Sequence, residues 1–174
     1  RPGQLNFAIP GVGSVAHLAG VELEQSSGSK FTYVSYKGGG PAILDLMGGQ
    51  VDFSVNGLLA SLPHIKSGKV QVLAVATKEP HPALPGVPTI SQTLPGHESG
   101  SRQAVLAHAS VPPEIIAKWN AEIQRITAQP EMKERLAALG AIPEFMSPGE
   151  FQQLIVAERK RWATIIEKGQ IKGE

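Results

Sequence analysis

The sequence predicts an α/β protein built on an open parallel sheet, and three observations carry that prediction. Short strand-like runs alternate with helix-patterned segments, the turn after each early strand is rich in glycine or asparagine, and the fourth predicted strand is almost purely apolar. Strands of a parallel sheet, buried on both faces, have that last property. The module of strand, turn and helix occurs three times before the fourth strand, which argues for right-handed crossovers.

The first strand is Leu5–Ile9, which stops abruptly at Pro10-Gly11-Val12-Gly13-Ser14. Val15, Leu18, Ala19 and Leu23 then fall on one helix face that ends near Ser26-Ser27-Gly28. Residues 31–36, aromatic and β-branched, form the second strand and stop at Lys37-Gly38-Gly39-Gly40-Pro41. A second helix pattern runs from Ala42 through Ile43, Leu46 and Met47 to Gly48-Gly49. Residues 51–55 are the third strand, ending at Asn56-Gly57, and residues 58–66 the third helix, kinked or divided by Pro63. Residues 70–76 are the apolar fourth strand. Five prolines within residues 78–100 mark an irregular surface excursion, and residues 104–107 have the pattern of one more short strand.

The remainder reads as helical. Pro112-Pro113-Glu114 starts a helix whose stripe is Ile115, Ile116, Trp119, Ile123 and Ile126. Pro130-Glu131 opens a second, with Met132, Leu136 and Leu139 on one side and Gly140 as its stop. Ser147-Pro148-Gly149-Glu150 has capping-box spacing ahead of a last helix lined by Phe151, Leu154, Ile155, Trp162, Ile165 and Ile166. Trp119 and Trp162, on apolar stripes, are expected in the core.

Composition narrows the function. With 16 Lys and Arg against 15 Asp and Glu among 174 residues, the formal charge is +1, and two Trp and two Tyr are too few for a base-stacking platform. Nucleic acid is therefore not an expected partner. Cysteine is absent, which excludes thiol catalysis and zinc–thiolate sites, and no apolar run approaches the roughly 20 residues of a membrane-spanning helix. A chain that starts at Arg1 without Met, followed by Pro2-Gly3, reads as a piece that has lost an N-terminal portion.

Ligands of open parallel sheets sit beyond the carboxyl ends of the strands, and all three strand-to-helix turns here suit an anion. Gly13 and Ser14 offer backbone N–H groups and a hydroxyl; Gly38, Gly39 and Gly40 allow close backbone approach at a helix N-terminus, with Pro41 in its first turn. Asn56 offers donor and acceptor from the third turn. Each turn taken alone is also explained as mere chain reversal. Lys37 reads as a counter-charge or as a solvated surface residue, and His17, one turn into the first helix, braces the Ser14 loop or touches ligand. Catalysis finds little support, since Ser14 lies outside a Gly-x-Ser-x-Gly elbow and the five histidines show no metal-binding spacing. Gly11-Val12-Gly13-Ser14-Val15-Ala16 matches a dinucleotide fingerprint, yet the second strand ends in Ser35-Tyr36-Lys37 without an acid for a ribose.

Together, Pro10 to Ser14 with His17, Tyr36-Lys37-Gly38-Gly39-Gly40-Pro41-Ala42 and Gly48-Gly49-Gln50-Val51-Asp52 resemble the solute-binding proteins of tripartite tricarboxylate transporters, the Bordetella uptake gene family. The likeness continues through Leu62-Pro63-His64-Ile65-Lys66-Ser67-Gly68-Lys69, Leu84-Pro85-Gly86-Val87-Pro88-Thr89 and Leu136-Ala137-Ala138-Leu139-Gly140. The resemblance implies a periplasmic-binding-protein type II fold, with two α/β lobes closing on a small carboxylic acid that is handed to a membrane permease. It implies a periplasmic location and no catalysis, and no cofactor or metal is expected. On this chain, residues 1–108 would be the second ligand-binding lobe and residues 109–174 a helical segment that packs on it and on an absent first lobe. Gly13, Ser14, the loop from Tyr36 to Pro41, and Asn56 would be this lobe's share of the site. Arg102-Gln103 stands where family members often have an aromatic pair, and Arg102 either neutralises a ligand carboxylate or lies on the surface. A fragment with one wall of the cleft is expected to bind its acid weakly or not at all and to self-associate through exposed apolar surface. A nucleotide-dependent enzyme using the Gly11 to Ala16 turn, and a sensor subunit of the same fold, are the alternatives.

Overall fold

The structure is a computed structural model that describes residues 3–171, so Arg1 and Pro2, on which the reading of the chain start rests, lie outside the described residues. The elements are β1 (Leu5–Ile9), α1 (Val15–Ser27), β2 (Phe31–Ser35), α2 (Gly39–Met47), β3 (Phe53–Ser54), α3 (Leu58–Lys66), a 3₁₀ turn at Ile90–Gln92, α4 (Pro113–Thr127), α5 (Pro130–Ala138) and α6 (Pro148–Lys168). They divide into two units. The first runs to Ser101 and takes in the chain from Arg161 onward, and the second is Arg102–Lys160. This division falls a few residues before the boundary expected near residue 108 and passes through α6.

In the first unit β1 is the central strand of a parallel sheet ordered β2-β1-β3, with Phe7 opposite Tyr33 and Phe53, and Ala8 opposite Val34 and Ser54. Alternation along β1 sends successive side chains to opposite faces. Phe7, fully buried, meets the rings of Phe31, Tyr33 and Phe53 with centroids 5.9, 5.4 and 4.6 Å away. Helix α1 covers that face at close range. A Cβ on Gly20 would stand 2.9 Å from Tyr33 Cε1 and 3.2 Å from Phe7 Cε1, so only glycine lets the helix come so near. Ala8 faces the other way, into a cluster with Ala42 of α2 and Val51, flanked by Val34, Tyr36 and Leu46. The sheet is thus covered by α1 on one face and α2 on the other.

Three expectations need correction. Residues 70–76 form no strand: Val75 makes only an isolated bridge to Thr89, and Leu73 is 70% exposed. Val75 and Ala76 bond to the proline-rich excursion instead, with Val75 N–H donating to Pro88 O, Ile90 N–H to Val75 O and Ser99 N–H to Ala76 O. Residues 104–107 are likewise irregular and exposed. Trp119 is 61% exposed and no residue of α4 is buried, because a helical stripe shows which face is apolar but not what covers it.

The helix starts of the second unit follow the sequence signals. Pro113 occupies the first turn of α4 and Pro130 that of α5. At the head of α6, Ser147 Oγ accepts from Glu150 N–H at 3.3 Å while Glu150 Oε2 accepts from Ser147 N–H at 2.8 Å, the reciprocal bonds of a capping box. The Ser147 hydroxyl, donating to Glu150 Oε2 at 2.7 Å, and the Ser147 N–H together hold the Glu150 carboxyl below its ordinary pKa.

Candidate ligand site

A parallel sheet ordered β2-β1-β3 reverses its direction of winding at β1 and β3, and the crevice beyond their carboxyl ends is where such sheets take ligands. The loops after β1, β2 and β3 all leave from that edge. Two observations tie them together. Gly38 N–H, in the second loop, donates to Pro10 O in the first at 3.1 Å, and Asn56 Oδ1, in the third, lies 3.5 Å from the position of a Cβ on Gly39.

In the first loop Ser14 is the N-cap of α1, its Oγ accepting from His17 N–H at 3.3 Å. Gly13 N–H donates to His17 Nδ1 at 3.1 Å and Ser14 N–H to Gly11 O at 3.3 Å. His17 is buried, 4.8 Å edge-on from the Tyr33 ring, and burial lowers its pKa. The imidazole therefore braces the loop as a neutral acceptor. These bonds refine the expectation that Gly13 offers its N–H to an anion. That group is spent on His17, and the amides ahead of the first intrahelical bond, Leu18 N–H to Ser14 O at 2.9 Å, belong to Val15 and Ala16.

The second loop behaves similarly. Gly38, at φ 111°, is the cap of α2, and Gly39, Gly40 and Pro41 are its first three residues, so the helix starts three residues before the expected Ala42. Gly39 and Gly40 place amide groups at the positive end of α2, where pyrrolidine nitrogen leaves Pro41 no donor. The Tyr36 hydroxyl donates to Asp45 Oδ2 at 2.8 Å, a bond that raises the phenol's pKa. Asp45 carries no motif in the sequence; its one signal is its place on α2, nine residues after Tyr36. Lys37 is exposed.

In the third loop Asn56 Nδ2 donates to Ser54 Oγ at 3.0 Å, and Ser54 Oγ donates to Ala8 O at 2.8 Å. Ser54, like Ser101, whose Oγ lies 3.7 Å from the Cβ position of Gly57, carried no motif. Arg102 belongs to the second unit, where its Nε stands 3.5 Å from Glu144 Oε2.

The described residues contain no group of three or more acidic or histidine side chains able to hold a metal ion, and no helix long and apolar enough to cross a membrane. Residues 1–171 match the tripartite tricarboxylate transporter family receptor. The chain belongs to that family. It is 33% identical over 167 residues to the protein BugT of Bordetella pertussis, covering 95% of this chain and 51% of BugT. Among solved structures of the fold it is similar to R. palustris Rpa4515 with adipate, at 31% identity and TM-score 0.91, over 98% of this chain and 57% of that one. It is similar also to MatC from Rhodopseudomonas palustris with bound malate, at 31% identity and TM-score 0.76, over 94% and 57% of the two chains. The chain spans about half the length of most of the curated relatives it matches. The periplasmic-binding-protein-like α/β fold read from the sequence is the fold of these receptors.

Proposed function

We propose that this chain is the second ligand-binding lobe of an extracytoplasmic solute-binding protein, which captures a small carboxylic acid for the permease of a tripartite tricarboxylate transporter. The carrying observation is the meeting of three loops at the carboxyl edge of the sheet, with the amide ends of α1 and α2 among them. Amide groups at helix N-termini hold carboxylates without a basic side chain. Relatives solved with adipate and malate support a small carboxylic acid such as a dicarboxylate as the ligand. Ser14, Gly39, Gly40, Pro41 and Asn56 line this edge in the proposal, Gly13, His17, Tyr36 and Gly38 hold its loops in shape, and Lys37 supplies charge near it. Residues 109–174 serve as the helical segment that accompanies the lobe, and the working compartment is the periplasm.

Native mass spectrometry of the full-length protein, alone and with a panel of four- to six-carbon di- and tricarboxylates, tests the reading. A retained or added mass equal to one acid supports it. An adduct with NAD(P) and none with any acid would transfer the Gly11 to Ala16 turn to nucleotide chemistry and overturn it.

A further inference from the structure

The orientation of the Asn56 carboxamide follows from hydrogen-bond chemistry. Ser54 stands opposite Ala8 in the β3–β1 register, and its hydroxyl donates to Ala8 O at 2.8 Å. A carbonyl only accepts, so the single proton of Ser54 is committed there. Only lone pairs remain on Ser54 Oγ. The Asn56 group 3.0 Å away must then be the donor, Nδ2, and the amide cannot be turned over without placing two acceptors face to face. Oδ1 is thereby held at the head of α2, 3.5 Å from where a Cβ on Gly39 would stand.

An acceptor in that place has a consequence for ligand choice. A carboxylate oxygen laid against Oδ1 meets a second lone-pair group and gains nothing, whereas a hydroxyl can donate to it while the acid's carboxylate takes amide N–H groups close by. We propose that Ser54 is a positioning residue of the ligand site, and that Asn56 Oδ1, held by it, selects an acid carrying a hydroxyl over the same acid without one. The inference rests on the carboxylate-binding reading above. Ser54 touches no ligand in it; its effect passes through Asn56.

Calorimetric titration of the full-length protein with malate and succinate, four-carbon diacids that differ by one hydroxyl, is the first measurement. Where another acid of the panel binds more tightly, it is compared with its own analogue gaining or lacking one hydroxyl. The wild type is expected to favour the hydroxy acid by about fivefold to tenfold, the worth of one neutral hydrogen bond. Ser54→Ala is expected to bring the ratio within about twofold, and Ser54→Thr, which keeps the hydroxyl, to restore it. A merely structural serine would weaken both acids together and leave their ratio unchanged. Should Ser54→Ala fail to fold, Asn56→Ala leaves the Ser54–Ala8 bond in place and reads the same ratio. A wild-type ratio near one or favouring the plain acid, or a ratio unmoved by either substitution, overturns the inference while sparing the carboxylate reading. Binding of no acid in the panel overturns that reading itself.

Discussion

Gly13 gives its backbone N–H to His17 Nδ1 at 3.1 Å, so the loop that carries Ser14 is closed by a histidine of the helix it leads into. The ring is buried against Tyr33 and accepts only while Nδ1 is unprotonated. Replacing His17 by Phe keeps most of the volume and removes the acceptor, which should cost about 1–2 kcal/mol by leaving the Gly13 N–H unpartnered. His17→Ala adds a cavity and should cost about 2–4 kcal/mol. Urea unfolding of the two variants checks the order; an undiminished stability for His17→Phe would mean that the bond is incidental.

Protonation of buried imidazoles gives a second expectation. Burial lowers the pKa of His17 below its ordinary 6.5 against an opposing pull from Glu24, and burial lowers that of His97 too. Near His97, Arg161 acts in the same direction and Glu22, whose Oε2 lies 3.8 Å from Nδ1, opposes both. With folded values below 6.5, the unfolded chain binds the extra protons in the window from 6.5 down to each folded value. Stability is therefore level above the window and falls as pH drops through it. Thermal midpoints from about pH 8 to pH 5 should decline below about 6.5, and His17→Gln with His97→Gln should flatten the decline. An equal slope in that double variant would assign the pH dependence to carboxylates.

Glycines at the head of α2 are expected to respond in opposite ways. Gly38 sits at φ 111° with its N–H on Pro10 O, and an alanine there is strained whatever space surrounds it. Gly38→Ala should lose about 1–3 kcal/mol and loosen the join between the first and second loops. Gly40 lies inside the helix, with nothing within 4 Å of an added Cβ. Gly40→Ala should gain about 0.5–1 kcal/mol by restricting the unfolded chain and favouring the helix. Chemical denaturation of both variants decides it, and a destabilising Gly40→Ala would show that the residue's backbone departs from an ordinary helix.

The parts of this molecule that could be read in advance are those whose causes are local. Turn glycines, the prolines at the heads of α4 and α5, the Ser147–Glu150 box and the bracing of Gly13 by His17 all involve partners no more than four residues apart. Parallel alternation was equally plain, since each strand carries its own stop. What escaped depends on partners far along the chain. Ser54 reaches the Ala8 carbonyl only because β3 pairs with β1 across 46 residues, and Val75 and Ala76 bond to residues 88, 90 and 99 rather than to a neighbouring strand. An apolar run states that burial is favourable, not that a neighbour is there to supply it. Trp119 is the same lesson on a helix.

The last expectation concerns Arg161, which joins α6 to α1. Its Nη2 lies 2.7 Å from Glu22 Oε1, it reaches the carbonyl of Glu98, and its guanidinium lies 4.6 Å from the centre of the Trp162 ring. Only 15% of the Glu22 side chain and 29% of the Arg161 side chain are exposed, so the pair is mostly removed from solvent. In such a setting the attraction largely offsets the cost of desolvation, and the loss from breaking the pair comes from the charge left behind. Arg161→Ala should therefore cost about 3 kcal/mol, because it strands the Glu22 carboxylate beside a neutral His97. Glu22→Gln keeps hydrogen-bonding atoms and removes that stranded charge, so it should cost less. Combining Glu22→Met with Arg161→Met removes both charges and fills their space, and should come close to wild-type stability. Urea unfolding of these variants measures the asymmetry. A loss in Arg161→Ala of only about 0.5 kcal/mol, the worth of an exposed pair, would place Arg161 and Glu22 effectively in water and leave His97 without its charged neighbours.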